Sequence, residues 1–160
     1  MGGGILPVAK HNGKIYFLVG LEEDGKLWSD FGGSSDKNES PYQTAIREGY
    51  EELNGFLGSK TNLQKMVSKN IILKLKFDKY TTFLFKTSYD ESLPQYFNAH
   101  HKFLKTNLPQ IINKKGYYEK SCIQWMTLRE IKENKYKFRT FYQPIIDFIL
   151  HNEQEISDKF

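Results

Sequence analysis

The sequence predicts an α/β fold, a mixed sheet with helices on its faces. Three observations predict it. Strand-like alternation occupies the first third of the chain, a well-capped helix opens at Ser40, and the order continues as strands and then helices.

Taken in order, Ile5-Leu6-Pro7-Val8 is a short apolar piece closed by an Asn12-Gly13 turn. Ile15 to Glu22 alternates as a strand, with Ile15, Phe17, Val19 and Leu21 on one face. Glu23-Asp24-Gly25 signals a turn, and Leu27 to Phe31 is a short strand running into a Gly32-Gly33 turn. Ser40, Pro41 and Gln43 form an N-cap, a first-turn proline and a capping box. Tyr42, Ile46, Gly49 and Leu53 then recur at helical spacing toward the core, and Asn54-Gly55 ends the helix. Leu73, Leu75 and Phe77 alternate with lysines, and after Asp78-Lys79 the run Tyr80 to Thr87 completes a hairpin. Ser88 to Gly116 is a longer connection. Phe97, Leu104, Leu108 and Ile111 mark a helical insert within it, bent near Pro109. Ile123 to Thr127 is the last strand, followed by helices at Leu128 to Glu133 and about Gln143 to Asn152. Neither a repeat nor a linker divides the chain, so residues 1–160 are expected to form one domain.

Composition is that of an ordinary globular protein, and no apolar run reaches the roughly 20 residues of a membrane span. With no targeting pattern at the N-terminus, a cytoplasmic location is expected. Leu6 stands where a myristoylation motif wants Ser or Thr. Cys122, the single cysteine, excludes an internal disulfide and lies in an apolar stretch, as a buried small hydrophobe would. The net charge of +4 is almost wholly lysine, Arg47, Arg129 and Arg139 being the only arginines. A lysine excess suits an anionic partner such as polyphosphate or RNA, and equally an A- and T-rich coding sequence.

The chemistry lies in Gly33-Ser34-Ser35-Asp36-Lys37-Asn38-Glu39, seven further residues, and Arg47-Glu48-Gly49-Tyr50-Glu51-Glu52. On a helix Glu48 is one turn from both Glu51 and Glu52, so three carboxylates crowd one short surface. Such a cluster repels itself unless positive charge sits among it. Arg47, one turn from Glu51, supplies part, and magnesium or manganese, which prefer carboxylate oxygens, would supply the rest. Metals of this kind neutralise charge on a diphosphate and activate water, and a carboxylate can take the water's proton. The Gly32-Gly33 turn lets backbone approach a metal or phosphate closely. Glu51 taken alone is better explained by a solvated helix face paired to Arg47.

The segment resembles the Nudix box, Gly-x5-Glu-x7-Arg-Glu-U-x-Glu-Glu-x-Gly-U with U a bulky aliphatic residue. Gly33, Glu39, Arg47, Glu48, Glu51 and Glu52 match its spacing. Departures are Gly49 at the first U, and Asn54 and Gly55 at the closing pair, which a one-residue insertion would restore as Gly55-Phe56. The resemblance implies a Nudix-like α/β/α sandwich around a mixed β-sheet, with the box as loop-helix-loop. It implies that Glu48 and Glu52 bind metal, that Glu51 assists, and that Arg47 and Glu39 hold loop and helix in place. A glycine carbonyl, Gly32 or Gly33, would join the coordination. The general base would be Glu48 or a carboxylate from a later loop, for which Glu119, six residues before Trp125, is the candidate.

The resemblance implies hydrolysis of a phosphoanhydride bond in a nucleoside diphosphate linked to another moiety. Removal of an mRNA cap, with capped RNA as partner, is an alternative resting on this single domain, and hydrolysis of diphosphoinositol polyphosphates is another. A non-catalytic binding module is a reading from a different class, disfavoured because every box carboxylate is kept. The stretch Tyr96, Phe97, His100, His101, Lys102, Lys105, Lys114 and Lys115 could carry an anionic chain. It is better explained as a helix with an aromatic core side and solvated lysines. His100-His101 lacks zinc-ligand spacing.

Overall fold

A computed structural model describes residues 1–114 and 116–160, and Lys115 lies outside the described residues. The central strand β1 (Gly2–His11) runs parallel to β6 (Tyr80–Lys86) along one edge. Its other edge is shared: Val8 to His11 pair with β2 (Lys14–Glu22), and Gly2 to Ile5 pair with β4 (Phe31–Ser34), both antiparallel. β2 also carries β3 (Trp28–Ser29) and β7 (Lys120–Thr127), while β5 (Ile71–Phe77) completes a hairpin with β6.

The sheet is buried on both faces, and strand alternation sorts its side chains between two cores. Leu6, Val8, Phe17, Val19, Leu84 and Met126 pack on one face against Ile131 of α5 (Leu128–Glu133), Ile145, Ile146 and Ile149 of α6 (Gln143–His151) and Ile156 of α7 (Glu153–Ser157). Ile5, Ala9, Leu18, Phe31, Phe83, Phe85, Ile123 and Trp125 pack on the other against α1 (Pro41–Glu52), α2 (Lys60–Asn70) and α3 (Ser92–Asn107). This is the expected α/β/α sandwich with a mixed sheet.

Several boundaries differ from the sequence expectation. The Leu27–Phe31 segment is two strands, and Gly32-Gly33 lies within β4, paired to Gly4 and Gly3, rather than in a turn. The helix α2 was not anticipated, although Ser59 caps it and Leu63 and Val67 bury one side at helical spacing. The insert breaks at Leu108 before α4 (Pro109–Ile112) as expected, but Leu108 is exposed there, as is Phe77 at the end of β5. Asn54 and Gly55 end the α1 region with φ of 50° and 71°, a left-handed pair that stops the helix.

Gly49 sits where the box has a bulky aliphatic residue. A Cβ there would collide with Ile5 of β1, approaching Cγ1 to 2.6 Å. The helix lies so close to the sheet that Ile5 itself fills the volume of the missing side chain. Phe56, one position beyond the departed closing pair, packs edge-on against Phe97 with centroids 5.3 Å apart. Among the described residues no helix is long and apolar enough to cross a membrane.

Candidate active site

The Ser40 capping box fixes the start of α1 and so sets the rotation that aims its last turn. Arg47 braces the loop to the helix. Its Nε and Nη2 donate to the two oxygens of Glu39 at 2.8 and 2.9 Å, and Nη2 also donates to the Ser34 carbonyl at 3.2 Å. Nη1 donates to Glu48 Oε1 at 2.7 Å and to Glu51 Oε2 at 3.4 Å. The guanidinium beside Glu39 lowers that carboxyl to about 2, and Glu39 in return holds Arg47 well above its ordinary value. The expected supporting roles of Arg47 and Glu39 thus have a geometry that fits them.

Glu48 lies flat against β4. A Cβ on Gly33 would come within 2.7 Å of its carboxyl carbon, so only glycine leaves room for it. Burial raises the Glu48 carboxyl, Arg47 opposes this, and the charges of Glu51 and Glu119 push it further up. Glu52 is 2% exposed, and its Oε2 accepts from the Gly32 N–H at 2.8 Å. Burial pushes it to about 8 against the pull of the Lys120 ammonium, with Glu22, Asp30 and Glu48 adding to the rise.

Glu119 itself is exposed, at the mouth of the cluster. Asn54 ties its loop to the end of the helix by accepting from the Tyr118 N–H at 3.3 Å, and Gly116 of the same loop lies against Glu51. The four expected carboxylates are therefore brought to one region, with Glu48 and Glu52 inside and Glu119 exposed at the rim, near enough for its charge to act on Glu48.

Sequence reasoning missed Lys120, which is fully buried. Its Nζ stands 2.6 Å from Glu22 Oε1, 2.8 Å from Ser29 Oγ and 3.5 Å from Glu52 Oε1. Burial alone would depress this ammonium, but Glu52, Glu22 and Asp30 outweigh it and keep it charged. Deeper still, Asp30 accepts from Tyr80 at 2.8 Å and Thr82 at 2.9 Å, and burial raises it to about 6.

The insert divides. Phe97 and His101 are buried, while Tyr96, His100, Phe103, Lys102, Lys105 and Lys114 are exposed. His101 Nε2 lies 2.7 Å from Glu23 Oε2. Cys122 is half-buried, and burial raises its thiol, which suits an inert side chain.

The donor chemistry fits a hard divalent cation. Glu48 lies against Gly33 and Glu52 on the Gly32 N–H, with Glu51 and Glu119 near enough to raise Glu48, and a fully buried carboxyl raised to about 8 is one that added positive charge would ionise. Among the described residues no three such side chains already converge closely enough to hold an ion. Glu48 is turned to Arg47, and Glu52 to Gly32 and Lys120. Ion binding therefore calls for side-chain rotation.

The chain has the fold of the Nudix hydrolases, and it carries the box residues on the loop and helix of that fold. Among solved structures it is similar to a C. elegans Ap4A hydrolase in a binary complex, with 17% identity, 99% of each chain covered and a TM-score of 0.61. It is similar also to RenU, a Nudix hydrolase from M. smegmatis, with 11% identity, 98% of this chain and 87% of that one covered, and a TM-score of 0.53. A third is a bifunctional NMN adenylyltransferase/ADP ribose pyrophosphatase from Francisella tularensis complexed with AMP and a Mn ion. It has 18% identity and a TM-score of 0.55, with 92% of this chain and 40% of that one covered. No family model and no curated protein sequence matches the chain.

Proposed function

We propose that this chain is a divalent-metal-dependent Nudix hydrolase. It would cleave a phosphoanhydride bond in a nucleoside diphosphate linked to another moiety. The observation that carries this reading is the pair of inward carboxylates, Glu48 against Gly33 and Glu52 on the Gly32 N–H, with Glu51 and Glu119 near enough to raise Glu48.

Glu48 and Glu52 would hold magnesium or manganese, with Glu51, Glu119 and a carbonyl of Gly32 or Gly33 completing the oxygen set. When bound, the metal neutralises diphosphate charge and lowers the pKa of water. Arg47 keeps Glu48 and Glu51 on one side of the helix. Lys120 offsets the buried charge of Glu52. Glu48, raised by burial, or Glu119, in contact with solvent, takes the proton of the attacking water. The names of two structural neighbours, Ap4A hydrolase and ADP ribose pyrophosphatase, support a nucleotide-type substrate.

The test is product release with magnesium or manganese on a panel of dinucleoside polyphosphates, nucleotide sugars, nucleoside triphosphates, diphosphoinositols and capped RNA. Glu52→Gln is the control. We expect turnover of at least one substrate and a loss of at least ~100-fold in the variant. Tight binding of a nucleotide without any turnover would instead establish a binding module.

A further inference from the structure

Two clefts border the carboxylate cluster. One, of about 580 Å³, reaches it through Glu22 and Glu119 and is walled by Leu27, Tyr117 and Tyr118. The other, of about 400 Å³, reaches it through Gly32 and Gly33 and is walled by Phe77, Tyr80 and Phe141. Arg139 is the residue that lines both.

The three arginines are used differently. Arg47 is saturated by Glu39, Glu48, Glu51 and the Ser34 carbonyl, and Arg129 pairs with Glu133 on the outer surface. Arg139 lies 43% exposed, its guanidinium stacked 4.8 Å over the Phe141 ring, with one long contact of 3.4 Å from Nη1 to Glu22. A guanidinium has five N–H donors, and among the described residues only Nη1 of Arg139 has an acceptor, so most of its donors are left free at a residue that lines both clefts. Its backbone is fixed independently, the N–H donating to the Trp28 carbonyl at 2.9 Å. A planar fork held in place by an aromatic ring is suited to gripping phosphate oxygens two at a time.

We propose that Arg139 binds the phosphate chain of a substrate bearing a planar aromatic group at each end, one end in each cleft. The class is that of dinucleoside polyphosphates and their relatives, as opposed to one-ended nucleoside triphosphates. Aromatic walls on both sides offer stacking for two heterocycles, and Asp24 in the larger cleft offers an acceptor to the N–H groups of a base. The inference rests on the hydrolase reading of the site.

The experiment has a binding arm and a kinetic arm. Calorimetry in EDTA measures binding of a methylene-bridged, non-hydrolysable diadenosine tetraphosphate and of a non-hydrolysable ATP analogue. Kinetics with magnesium then compare diadenosine tetraphosphate with ATP. Arg139→Ala should weaken binding of the two-headed analogue, and raise KM for its cleavable counterpart, by about tenfold or more, with kcat within about threefold. Arg139→Lys should recover only part, because a point charge lacks the fork. A thermal melt confirms that both variants fold. Unchanged binding in folded Arg139→Ala, or a parent that binds the ATP analogue as tightly as the two-headed one, overturns the proposal. A parent that hydrolyses no substrate overturns the hydrolase reading instead, and the binding arm then decides the role of Arg139 by itself.

Discussion

Glu39→Gln removes one charge from the brace between the box loop and α1 while leaving its shape almost intact. In the parent, two guanidinium nitrogens of Arg47 meet the two Glu39 oxygens at 2.8 and 2.9 Å, and Thr44 Oγ1 donates a third hydrogen bond at 3.0 Å. The fall of Glu39 from an ordinary 4.5 to about 2 corresponds to roughly 3 kcal/mol if nothing screened it. The side chain is 20% exposed on a surface loop, so solvent reduces this to about 1–2 kcal/mol. For a chain of this size the variant should melt about 3–7 °C below the parent at pH 7. The sign with pH follows from the depressed carboxyl. Its stabilisation is complete above the ordinary value of 4.5 and is lost as pH falls toward 2. Melting both proteins from pH 7 to pH 2.5 should show the gap close across that window. Equal melting temperatures at pH 7, or a gap of constant size down to pH 2.5, would refute the assignment of Glu39 as the carboxylate that braces Arg47.

Other perturbations test the deeper layers. Lys120→Met leaves Glu22 and Glu52 facing each other without their shared cation, and a loss of about 3–5 kcal/mol in urea unfolding is expected, with Lys120→Arg closer to the parent. If Lys120→Met is as stable as the parent, the buried ammonium is not what holds those carboxylates. Gly49→Ala should cost about 1–3 kcal/mol by driving a methyl into Ile5, and Ile5→Val in the same chain should recover part of it. Strict additivity of the two substitutions would mean that helix and sheet do not touch at that point.

The sandwich was legible because its signals are local. The Ser40 capping box, the left-handed Asn54-Gly55 stop and the alternation in β2 and β5 each act within a few residues. The three carboxylates on the last turns of α1 were legible for the same reason, since one helix fixes their spacing. What lay beyond reach depended on partners distant in sequence. Asp30, with Tyr80 and Thr82 some fifty positions away, carries no local mark of being buried. Gly49 looked like a defect in the box until Ile5 was seen to occupy its place. The helix α2 could have been found, because Ser59, Leu63 and Val67 carry the same kind of cap and spacing that revealed α1.

The loop before the last strand shows how one residue of slippage redirects a charge. Ile123 and Trp125 face the α1 side of the sheet, so simple alternation would send Ser121 and Glu119 the same way. Pairing does not continue in step, however. Leu21 opposes Cys122 while Glu22 opposes Lys120, which leaves Ser121 as an extra residue in the strand. A β-bulge of this kind inverts the faces of everything before it. Lys120 is therefore the side chain driven inward, its stem over Gly20 and its ammonium among Glu22, Ser29 and Glu52, while Glu119 is left exposed at the mouth of the cluster. The bulge gives the site a fixed cation at its floor and a solvated carboxylate at its rim. Deleting Ser121 would remove the bulge yet leave Lys120 opposite Glu22, on the same face as Ile123 and Trp125, so the buried ammonium should keep its place beside Glu52 and Glu119 its place at the rim.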